Sequence, residues 1–367
     1  MILKAFPRRK TRKIYIGKIP VGGDAPVSIQ SMTTTQTHDV SATVEQIKRL
    51  ADAGCDIVRV TVPTLKDAQS IPEIRAQSPV PIIADIHFDH RVALKVLECG
   101  IDCLRINPGN ISKIEYLEAI IKSAKSKNIP MRIGVNSGSL EPSILQKYGA
   151  PSAAALVESA LQCVSLLEGL EFQNFKLSIK SSNVVTMISA YRMISEKIDY
   201  PLHLGVTEAG TVEAGTVKSA IGIGTLLAEG IGDTIRVSLT ADPVEEVSVA
   251  RSILQAVGHR RDRAEIIACP TCGRCDIDLI NLTKRIEEEV KDLKTDMTIA
   301  LMGCVVNGPG EAREADLGIA AGKDAAVLFR KGEIIKRIEE EDLEAELIKA
   351  IREEVKNHPP ENRLCGR

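Results

Sequence analysis

Eight short apolar segments recur along the first two-thirds of the chain, separated by stretches with the periodicity of amphipathic helices. The segments are residues 27–33, 57–62, 81–86, 103–108, 131–136, 175–180, 202–208 and 234–239. One separating stretch, "SATVEQIKRLADAG", places Val44, Ile47 and Leu50 on one face. Eight strand–helix units over about 250 residues predict an α/β fold, a (β/α)8 barrel of the TIM type.

An open doubly wound sheet is the alternative architecture for a strand–helix repeat. That fold would need a glycine-rich phosphate-binding turn directly after its first strand. The corresponding residues read "SMTTTQTHD" and contain no glycine. The barrel is therefore the favoured fold.

The repeat ends about a hundred residues before the chain does. The last barrel helix is predicted over "VEEVSVARSILQAVG", ending near Gly258, and "HRRDRAE" follows as a polar linker. A helix at about 276–293, several short strands, a hairpin and a charged terminal helix follow. We expect a substrate-binding barrel domain at residues 1–260 and a smaller α+β domain at residues 261–367.

Composition argues against several classes of protein. A formal net charge of -2, 3% aromatic residues and no Trp give neither a field that attracts nucleic acid nor a platform for stacking bases. No stretch approaches the ~20 apolar residues of a membrane span. The basic start "MILKAFPRRKTRKIYIG" lacks the apolar core of a secretory signal, and we interpret it as an exposed strand pair closing one end of the fold. Nine cysteines, an odd number, then favour a reducing cytoplasm.

Polar side chains alternate with aliphatic ones along the predicted barrel strands. In "IVRVTV", Val58 and Val60 face the helices, so Arg59 faces the lumen. The same alternation turns a larger polar set inward: Asp85, His87, Arg105, Asn107, Arg132, Asn136, Lys180, His203, Thr207, Arg236 and Ser238.

The inward arginines and lysine need an explanation, because Val, Ile and Leu normally fill barrel interiors. Acidic neighbours would account for some of them, but the expected inward carboxylates are mainly Asp85 and Glu208. Unpaired buried cations cost several kcal/mol each, whereas arginine binds phosphate oxygens through paired hydrogen bonds. The pattern predicts a site for a small, highly charged anion at the carboxyl ends of the strands, and a diphosphate fits best.

Three cysteines fall within seven residues of the second domain, in "ACPTCGRC". Cys269, Cys272 and Cys275 have the spacing of residues that hold iron–sulfur clusters. Structural zinc is an alternative, although a zinc ribbon needs a second close pair of ligands, and a redox or purely structural role is another. Cys304 opens a loop rich in glycine and proline that leads to Glu311, a backbone suited to close approach.

Several longer motifs accompany these features: "ADIHFDHRVAL", "LRINPGNI", "RIGVNSGSL", "LHLGVTEAG" and "IGDTIRVSLTADP" in the barrel, then "ACPTCGR" and "LMGCVVNGPGEA". Together they closely resemble the 4-hydroxy-3-methylbut-2-en-1-yl diphosphate synthase (IspG) family of the non-mevalonate isoprenoid pathway, in its compact two-domain bacterial form. The resemblance covers essentially the whole chain. It implies an iron–sulfur oxidoreductase that opens and dehydrates 2-C-methyl-D-erythritol 2,4-cyclodiphosphate to (E)-4-hydroxy-3-methylbut-2-enyl diphosphate.

The resemblance also implies a cofactor and partners. One 4Fe-4S cluster per chain would be held by Cys269, Cys272, Cys304 and Glu311. Cys275 departs from the family pattern and is an alternative ligand in place of Glu311. Reduced flavodoxin or ferredoxin is the implied electron donor. A homodimer is implied as well, in which the cluster domain of one chain caps the barrel of its partner.

The implied substrate contacts largely coincide with the inward set found by alternation: Arg59, Arg105, Asn107, Arg132, Asn136, Lys180, Thr207, Arg236 and Ser238. Glu208 matches the family's expected acid, and Asp85 and His87 are expected to orient the departing hydroxyl. Glu311 is expected to act in catalysis as an exchangeable ligand.

Two other classes explain parts of the sequence. A pterin- or phosphosugar-binding barrel with a zinc-stabilised tail would contain zinc instead of iron. An electron-transfer or iron-sensing module would explain the thiols but would leave the inward arginines without a purpose.

Overall fold

The structure, a computed structural model, describes residues 7–111, 113–304, 315–322 and 325–357. The chain divides between His259 and Arg260 into two compact units. No helix within the described ranges is long and apolar enough to cross a membrane.

The first unit begins with an antiparallel hairpin, β1 (Ile14–Ile16) and β2 (Ile19–Val21), and continues into a ring of parallel strands. The ring consists of β3 (Ser28–Met32), β4 (Ile57–Thr61), β5 (Ile82–Asp85), β6 (Cys103–Ile106), β7 (Met131–Asn136), β8 (Phe175–Lys180), β9 (His203–Leu204) and β10 (Thr234–Ile235). Neighbours follow chain order, and β10 pairs back onto β3. A parallel bridge from Leu177 to Leu202 joins β8 to the strand that leads into β9. The predicted (β/α)8 barrel is confirmed.

Helices cover the outside of the ring: α1 (Val40–Asp52), α2 (Leu65–Gln77), α3 (His90–Glu98), α4 (Ile114–Ser126), α5 (Pro142–Tyr148), α6 (Ala153–Gly169), α7 (Val184–Ser195), α8 (Val212–Ala228) and α9 (Pro243–Ala256). Side-chain caps fix several starts; Asp39 accepts from the backbone of Ala42 at the start of α1. The apolar faces of the helices and the outward side chains of the strands form one continuous core. Gly258 follows α9 with a φ of 73°, in the left-handed region in which glycine commonly ends a helix.

The last two barrel strands are shorter than their apolar runs. A Cβ on Gly205 would lie 2.6 Å from the carbonyl oxygen of Arg236, so the two backbones approach more closely than side chains allow. Arg236 still donates its backbone N–H to Leu204 at 3.0 Å. Residues beyond β9 and β10 therefore continue toward the carboxyl end of the barrel as loops.

The hairpin closes the amino end of the barrel. Its Ile14, Ile16 and Val21 are buried and pack against inward side chains near the amino ends of β4, β5 and β6. The expectation of a strand pair at one end is right in position, but the description as exposed is wrong for its inner face. Side chains of β1 alternate in direction, so Ile14 and Ile16 point into the barrel floor and are buried, whereas Tyr15 points outward.

Within residues 260–304, 315–322 and 325–357, the second unit consists of a five-stranded sheet and two α-helices. Its strands, in spatial order, are β11 (Glu265–Ala268), β12 (Thr298–Met302), β13 (Leu317–Ala321), β14 (Ala325–Arg330) and β15 (Glu333–Glu339). The pairs β11–β12 and β12–β13 are parallel, and the last two pairs are antiparallel. The helices α10 (Leu279–Val290) and α11 (Leu343–Asn357) pack on a separate core. The strand β11 was not predicted, because four residues are too few to show alternation.

Candidate active site

A cavity of about 400 Å³ opens at the carboxyl ends of the barrel strands. Eight of the residues predicted for the site line it: Arg59, Asp85, His87, Arg105, Asn136, Lys180, Thr207 and Glu208. Four lining residues were not predicted: Met32, Asn110, Gly138 and Ser139. The barrel thus brings side chains from several strands to one end, as the inward alternation implied.

One buried carboxylate joins two arginines in the cavity wall. Asp85 Oδ1 accepts from Arg105 Nη1 at 2.8 Å, and Asp85 Oδ2 lies 3.5 Å from Arg59 Nε. Burial alone would raise the pKa of Asp85, but the charges of Arg59 and Arg105 outweigh it and lower the pKa to about 2. Asp85 is therefore ionised at neutral pH and holds both guanidinium groups in place.

The two arginines keep further hydrogen-bonding capacity. Arg59 Nη1 and Arg105 Nε are buried without a partner in the described part of the chain. Burial, together with repulsion from Arg236 and Arg105, lowers the pKa of Arg59 to about 9. Donors fixed in position with bonds left to make are suited to an anionic ligand.

Lys180 adds a further cation to the same wall. Burial lowers its pKa well below the usual value, and repulsion from Arg59, Arg132 and Arg236 lowers it further. An anion bound in the cavity would reverse this effect and favour the charged ammonium. The cavity therefore gains attraction for an anion from each of its cations.

Four predicted substrate contacts, Asn107, Arg132, Arg236 and Ser238, do not line the cavity. Asn107 is engaged in its own loop, where it donates to Ser139 Oγ at 2.9 Å and accepts from the Gly109 backbone. Arg132 is fully buried and donates to Ser178 Oγ through Nε and Nη2, at 3.2 and 3.1 Å. Direct contact of these four residues with the substrate stays a prediction.

Arg236 has an acidic partner that strand alternation did not predict. Its Nη2 lies 3.3 Å from Glu246 Oε1, on helix α9. Glu246 is itself buried and accepts from Ser31 Oγ at 2.9 Å and from the Leu239 backbone at 3.1 Å. The expectation that Asp85 and Glu208 are the main acidic neighbours is therefore wrong for Arg236. Alternation along the strands cannot predict this partner, because Glu246 reaches the barrel wall from a helix.

Glu208 lies at the cavity in an unusual backbone conformation. Its φ is 52°, in the left-handed region that few residues other than glycine adopt. The carboxylate is exposed, in contrast to the buried Asp85. Strained backbone of this kind is concentrated at functional sites. His87, half-buried, lines the same cavity.

Lys176 was missed, although the signal that found Lys180 also applies to it. In "FKLSIK" the residues Lys176, Ser178 and Lys180 share one face of β8, and Phe175 and Leu177 pack outward in the core. Lys176 is fully buried, and burial lowers its pKa to about 7. It lies below the cavity and does not line it.

The cysteine motif of the second unit is tied to the end of strand β12. Cys269 Sγ accepts from the Gly303 backbone at 3.2 Å, and the Asp276 backbone donates to the Gly303 carbonyl at 3.1 Å. Hydrogen bonds from the backbone and side chain of Arg274 lower the pKa of Cys272. Interaction with Cys272, and to a smaller extent with Cys304, raises the pKa of Arg274. The end of β12 thus brings Cys304 to the region of the motif.

Cys275, like Cys269, packs partly buried against the core of the second unit. Cys275 Sγ lies 3.3 Å from the Ile277 carbonyl. A Cβ on Gly303 would overlap this sulfur, so the two residues are closely packed. These contacts are those of a packing residue.

Within the described ranges, no three His, Cys, Asp or Glu side chains are placed to hold a metal ion. Glu311 lies outside those ranges. Cys269, Cys272 and Cys304 are all at least partly exposed, in contrast to Cys103, which burial gives a pKa of about 12. The chemistry of the donor set, soft thiols that can be deprotonated, fits an iron–sulfur cluster.

The first unit is thus a TIM barrel with a cationic cavity at the end where enzymes of this fold carry their active sites. The class defined by fold and cavity is an anion-binding barrel protein with an added thiol-bearing α+β unit.

Comparison with known proteins agrees with this class and narrows it. Residues 11–251 match the GcpE TIM-barrel domain, and residues 265–353 match the GcpE protein C-terminal domain. The chain is 60% identical over 344 residues to the 4-hydroxy-3-methylbut-2-en-1-yl diphosphate synthase (flavodoxin) of Clostridium perfringens, covering 94% of this chain and 99% of the relative. Proteins of the same name from Clostridium acetobutylicum and Geobacter sulfurreducens are 57% and 53% identical, over 94% of this chain and 99% and 98% of theirs. The chain belongs to the GcpE family, and the resemblance found in the sequence is confirmed.

Proposed function

We propose that the chain catalyses the reductive ring opening and dehydration of 2-C-methyl-D-erythritol 2,4-cyclodiphosphate to (E)-4-hydroxy-3-methylbut-2-enyl diphosphate, in the cytoplasm. The name shared by its relatives supports the product. On the chain itself, the observation that carries the proposal is the cavity lined by Arg59, Arg105 and Lys180, in which the buried carboxylate of Asp85 pairs with both arginines.

The diphosphate would bind to this cationic wall. Arg59 and Arg105 each keep an unpaired buried N–H group, and a bound anion would oppose the lowering of the pKa of Lys180. Asn136 and Thr207 line the same cavity and would donate to phosphate oxygens.

Residues behind the wall would support the bound diphosphate. Arg132 and Arg236 would contribute positive charge from behind the wall of the cavity. Ser238 follows Arg236 by two residues and would support the diphosphate from the same strand end. Asn107 would fix the loop that carries Ser139, which does line the cavity. A buried, desolvated cluster of charges strengthens such interactions over their value in water.

Proton transfer falls to Glu208 in this proposal. Loss of one oxygen as water requires two electrons and two protons, and an exposed carboxyl beside the cavity can deliver a proton to the departing hydroxyl. Asp85 remains ionised because of its lowered pKa, so its role is to orient Arg59 and Arg105. His87, which is half-buried and lines the cavity, would orient the departing hydroxyl.

The electrons need a cofactor, because no side chain supplies them. We propose that Cys269, Cys272, Cys304 and Glu311 hold one 4Fe-4S cluster, which when bound supplies electrons one at a time. Glu311 is the exchangeable ligand in this set, since carboxylate oxygen binds iron less firmly than thiolate sulfur does. The packing of Cys275 against Ile277 and Gly303 supports its exclusion from the ligand set.

The electron donor and the assembly complete the proposal. The relatives' name includes flavodoxin, which supports reduced flavodoxin as donor, with ferredoxin as the second candidate. We further propose a homodimer in which the second unit of one chain serves the barrel of its partner.

Anaerobic purification followed by turnover tests the proposed function. We expect a brown protein with about four irons and four sulfides per chain that converts the cyclodiphosphate when given reduced flavodoxin. Arg59→Met should lose turnover while keeping its iron, and Arg75→Met, on the exposed face of α2, is the matched control. A protein that contains zinc in place of iron, or that leaves the cyclodiphosphate unchanged, would contradict the proposal.

A further inference from the structure

Met32 differs in kind from its neighbours in the wall of the barrel cavity. Its side chain carries no charge, hydroxyl or amide, whereas the other described residues that line the cavity are polar or charged, apart from Gly138. A thioether adds little attraction for an anion by itself. A role for Met32 in this cavity must therefore come from the side chain that it contacts.

Strand pairing places Met32 next to Arg59. The two residues are register partners in the parallel pair β3–β4, and the Thr33 backbone donates to the Arg59 carbonyl at 3.0 Å. Ile29 packs in the outer core and Ser31 donates to a side chain of helix α9, so alternation turns Met32 inward. The backbone thus fixes the start of the Met32 side chain relative to Arg59.

The sulfur of Met32 accepts from one edge of the Arg59 guanidinium group, the edge formed by Nε and Nη2. Arg59 Nη2 donates to Met32 Sδ at 2.8 Å, and Arg59 Nε donates to the same atom at 3.2 Å. Asp85 Oδ2 lies 3.5 Å from this Nε. Nη1 has no partner in the described part of the chain. Two donors that converge on one sulfur, together with the carboxylate, fix the orientation of the planar group.

A sulfur acceptor orients Arg59 without neutralising it. The thioether is polarisable and uncharged. Asp85 supplies one negative charge to Arg59 and Arg105 together, so these three residues keep a net positive charge. A carboxylate at position 32 would cancel that charge. An aliphatic side chain there would leave two buried donors of Arg59, which is only 4% exposed, without the sulfur.

We propose that Met32 is a positioning residue for Arg59: its sulfur holds the edge formed by Nε and Nη2, so that Nη1 stays available to an anionic ligand in the cavity. Donors that are oriented before the ligand arrives lower the entropic cost of binding. The inference deepens the proposed function and rests on it for the identity of the natural ligand. Inorganic diphosphate serves as a probe that does not depend on that identity.

Replacing Met32 by Leu tests the contact. The exchange nearly conserves volume and removes the acceptor, so the fold should be retained. Calorimetric titration without oxygen should show that inorganic diphosphate and the cyclodiphosphate each bind about 10-fold more weakly. Met193→Leu, at a half-buried position of α7, is the matched control and should keep both affinities. Unchanged affinities in Met32→Leu would overturn the proposal.

Two further variants separate positioning from packing. Met32→Gln offers a neutral carbonyl acceptor on a side chain of similar length, and should bind both anions within about 3-fold of the wild type. Met32→Glu offers an acceptor that also neutralises the cavity wall, and should bind them more weakly than Met32→Leu. A Gln variant no better than the Leu variant would indicate packing alone and would contradict the proposal. A Glu variant that binds as tightly as the Gln variant would contradict the need for a neutral acceptor.

The effect of Met32 should act through Arg59. Arg59→Lys keeps the positive charge but lacks an edge with two donors. In that background Met32→Leu should weaken diphosphate binding by less than about 2-fold, so the two substitutions should be non-additive. Additive effects would show that Met32 acts on the ligand independently of Arg59, and would overturn the proposal.

Crystals of the ligand-free Met32→Leu variant give a readout that needs no ligand. We expect the Arg59 guanidinium group to leave the position that it holds in the wild type, and an unmoved group would overturn the proposal. Failure of the proposed function has a different signature. A wild type that binds inorganic diphosphate but not the cyclodiphosphate would contradict the substrate, while the diphosphate series would still decide the role of Met32. A wild type that binds neither anion would overturn both.

Discussion

At the scale of single residues, the cavity depends on one carboxylate shared by two guanidinium groups. Asp85 is 2% exposed and contacts both Arg59 and Arg105. It neutralises only part of the positive charge around it, so the site remains attractive to anions. Its importance lies in fixing donors before a ligand arrives, which lowers the entropic cost of binding.

Replacing Asp85 by Asn should destabilise the protein. The substitution preserves shape but leaves Arg59 and Arg105 to repel each other in a buried setting, at about 3–5 kcal/mol. Urea unfolding at neutral pH measures the change. Asp89→Asn, which removes a partly exposed partner of Arg91, is the control and should change the free energy of unfolding much less.

The same carboxylate predicts a dependence on acid pH. The folded pKa of Asp85 is lowered from 3.8 to about 2, so its stabilising contribution is present above the unfolded value. That contribution should be lost as the pH falls from about 4 to about 2. The difference in unfolding free energy between the wild type and Asp85→Asn, measured at successive pH values, should shrink over this range; a constant difference would contradict the assignment.

Replacing Lys180 by Met should weaken substrate binding without lowering the stability of the protein. The half-buried amine is desolvated and repelled by neighbouring cations in the free protein, so its removal should leave the Tm unchanged or higher. Loss of a charged contact should weaken cyclodiphosphate binding by about 10- to 100-fold. Calorimetric titration without oxygen measures the affinity, with Lys122→Met as the control. Unchanged affinity in Lys180→Met would remove this residue from the substrate site.

At the scale of secondary-structure elements, both units use strand ends to position chemistry. The parallel strands β4 to β8 carry Arg59, Asp85, Arg105, Asn136 and Lys180 to one cavity. In the second unit, the pairing of β11 with β12 fixes the start of the cysteine motif beside Gly303. A parallel sheet brings the carboxyl ends of its strands to one edge, which explains both sites.

Gly303 and Cys275 should be coupled. A side chain at Gly303 would overlap Cys275 Sγ, so Gly303→Ala should lower the Tm and the iron content. The double variant with Cys275→Ala removes the overlap and should recover both. Cys275→Ala alone should keep its iron, whereas Cys304→Ser should lose it. Loss of iron in Cys275→Ala would instead make Cys275 a ligand.

The amino-terminal hairpin should contribute to barrel stability. Ile16 is fully buried against the barrel floor, so Ile16→Ala should cost about 2–5 kcal/mol of unfolding free energy. Its neighbour Tyr15 is 57% exposed, so Tyr15→Ala should change stability by about 0.5 kcal/mol or less. Similar values for the two variants in chemical unfolding would show that the hairpin does not close the floor.

At the scale of the whole molecule, the chain combines an anion-binding barrel with a separate thiol-bearing unit. The proposed dimer predicts complementation between two inactive variants. Arg59→Met removes the barrel site and Cys304→Ser removes the cluster, so neither variant should turn over alone. After unfolding and refolding together, half of the dimers are mixed and one of their two sites is complete, which should restore about a quarter of the wild-type rate. No recovery from a refolded, cluster-loaded mixture would contradict an active site shared between chains.

The barrel was predictable because its signals are local. Side chains alternate between the two faces of a strand with a period of two residues. A few residues of sequence were therefore enough to predict that Arg59, Arg105 and Lys180 face the barrel interior. The same rule would have found Lys176. The four-residue strand β11 gave no such signal, because its conformation depends on pairing with β12, some thirty residues further along the chain.

The sequence by itself determined the barrel, the inward direction of its cations, the thiol motif and the family, since each follows from patterns that do not require knowledge of distant neighbours. Only the tertiary structure decided which inward residues reach the cavity. Asn107 turns into its own loop and Arg236 meets Glu246 from helix α9, because those contacts join residues far apart in sequence. Charge balance in the interior is likewise a property of packing: Asp85 makes ion pairs with Arg59 and Arg105, but not with Lys176 or Arg132.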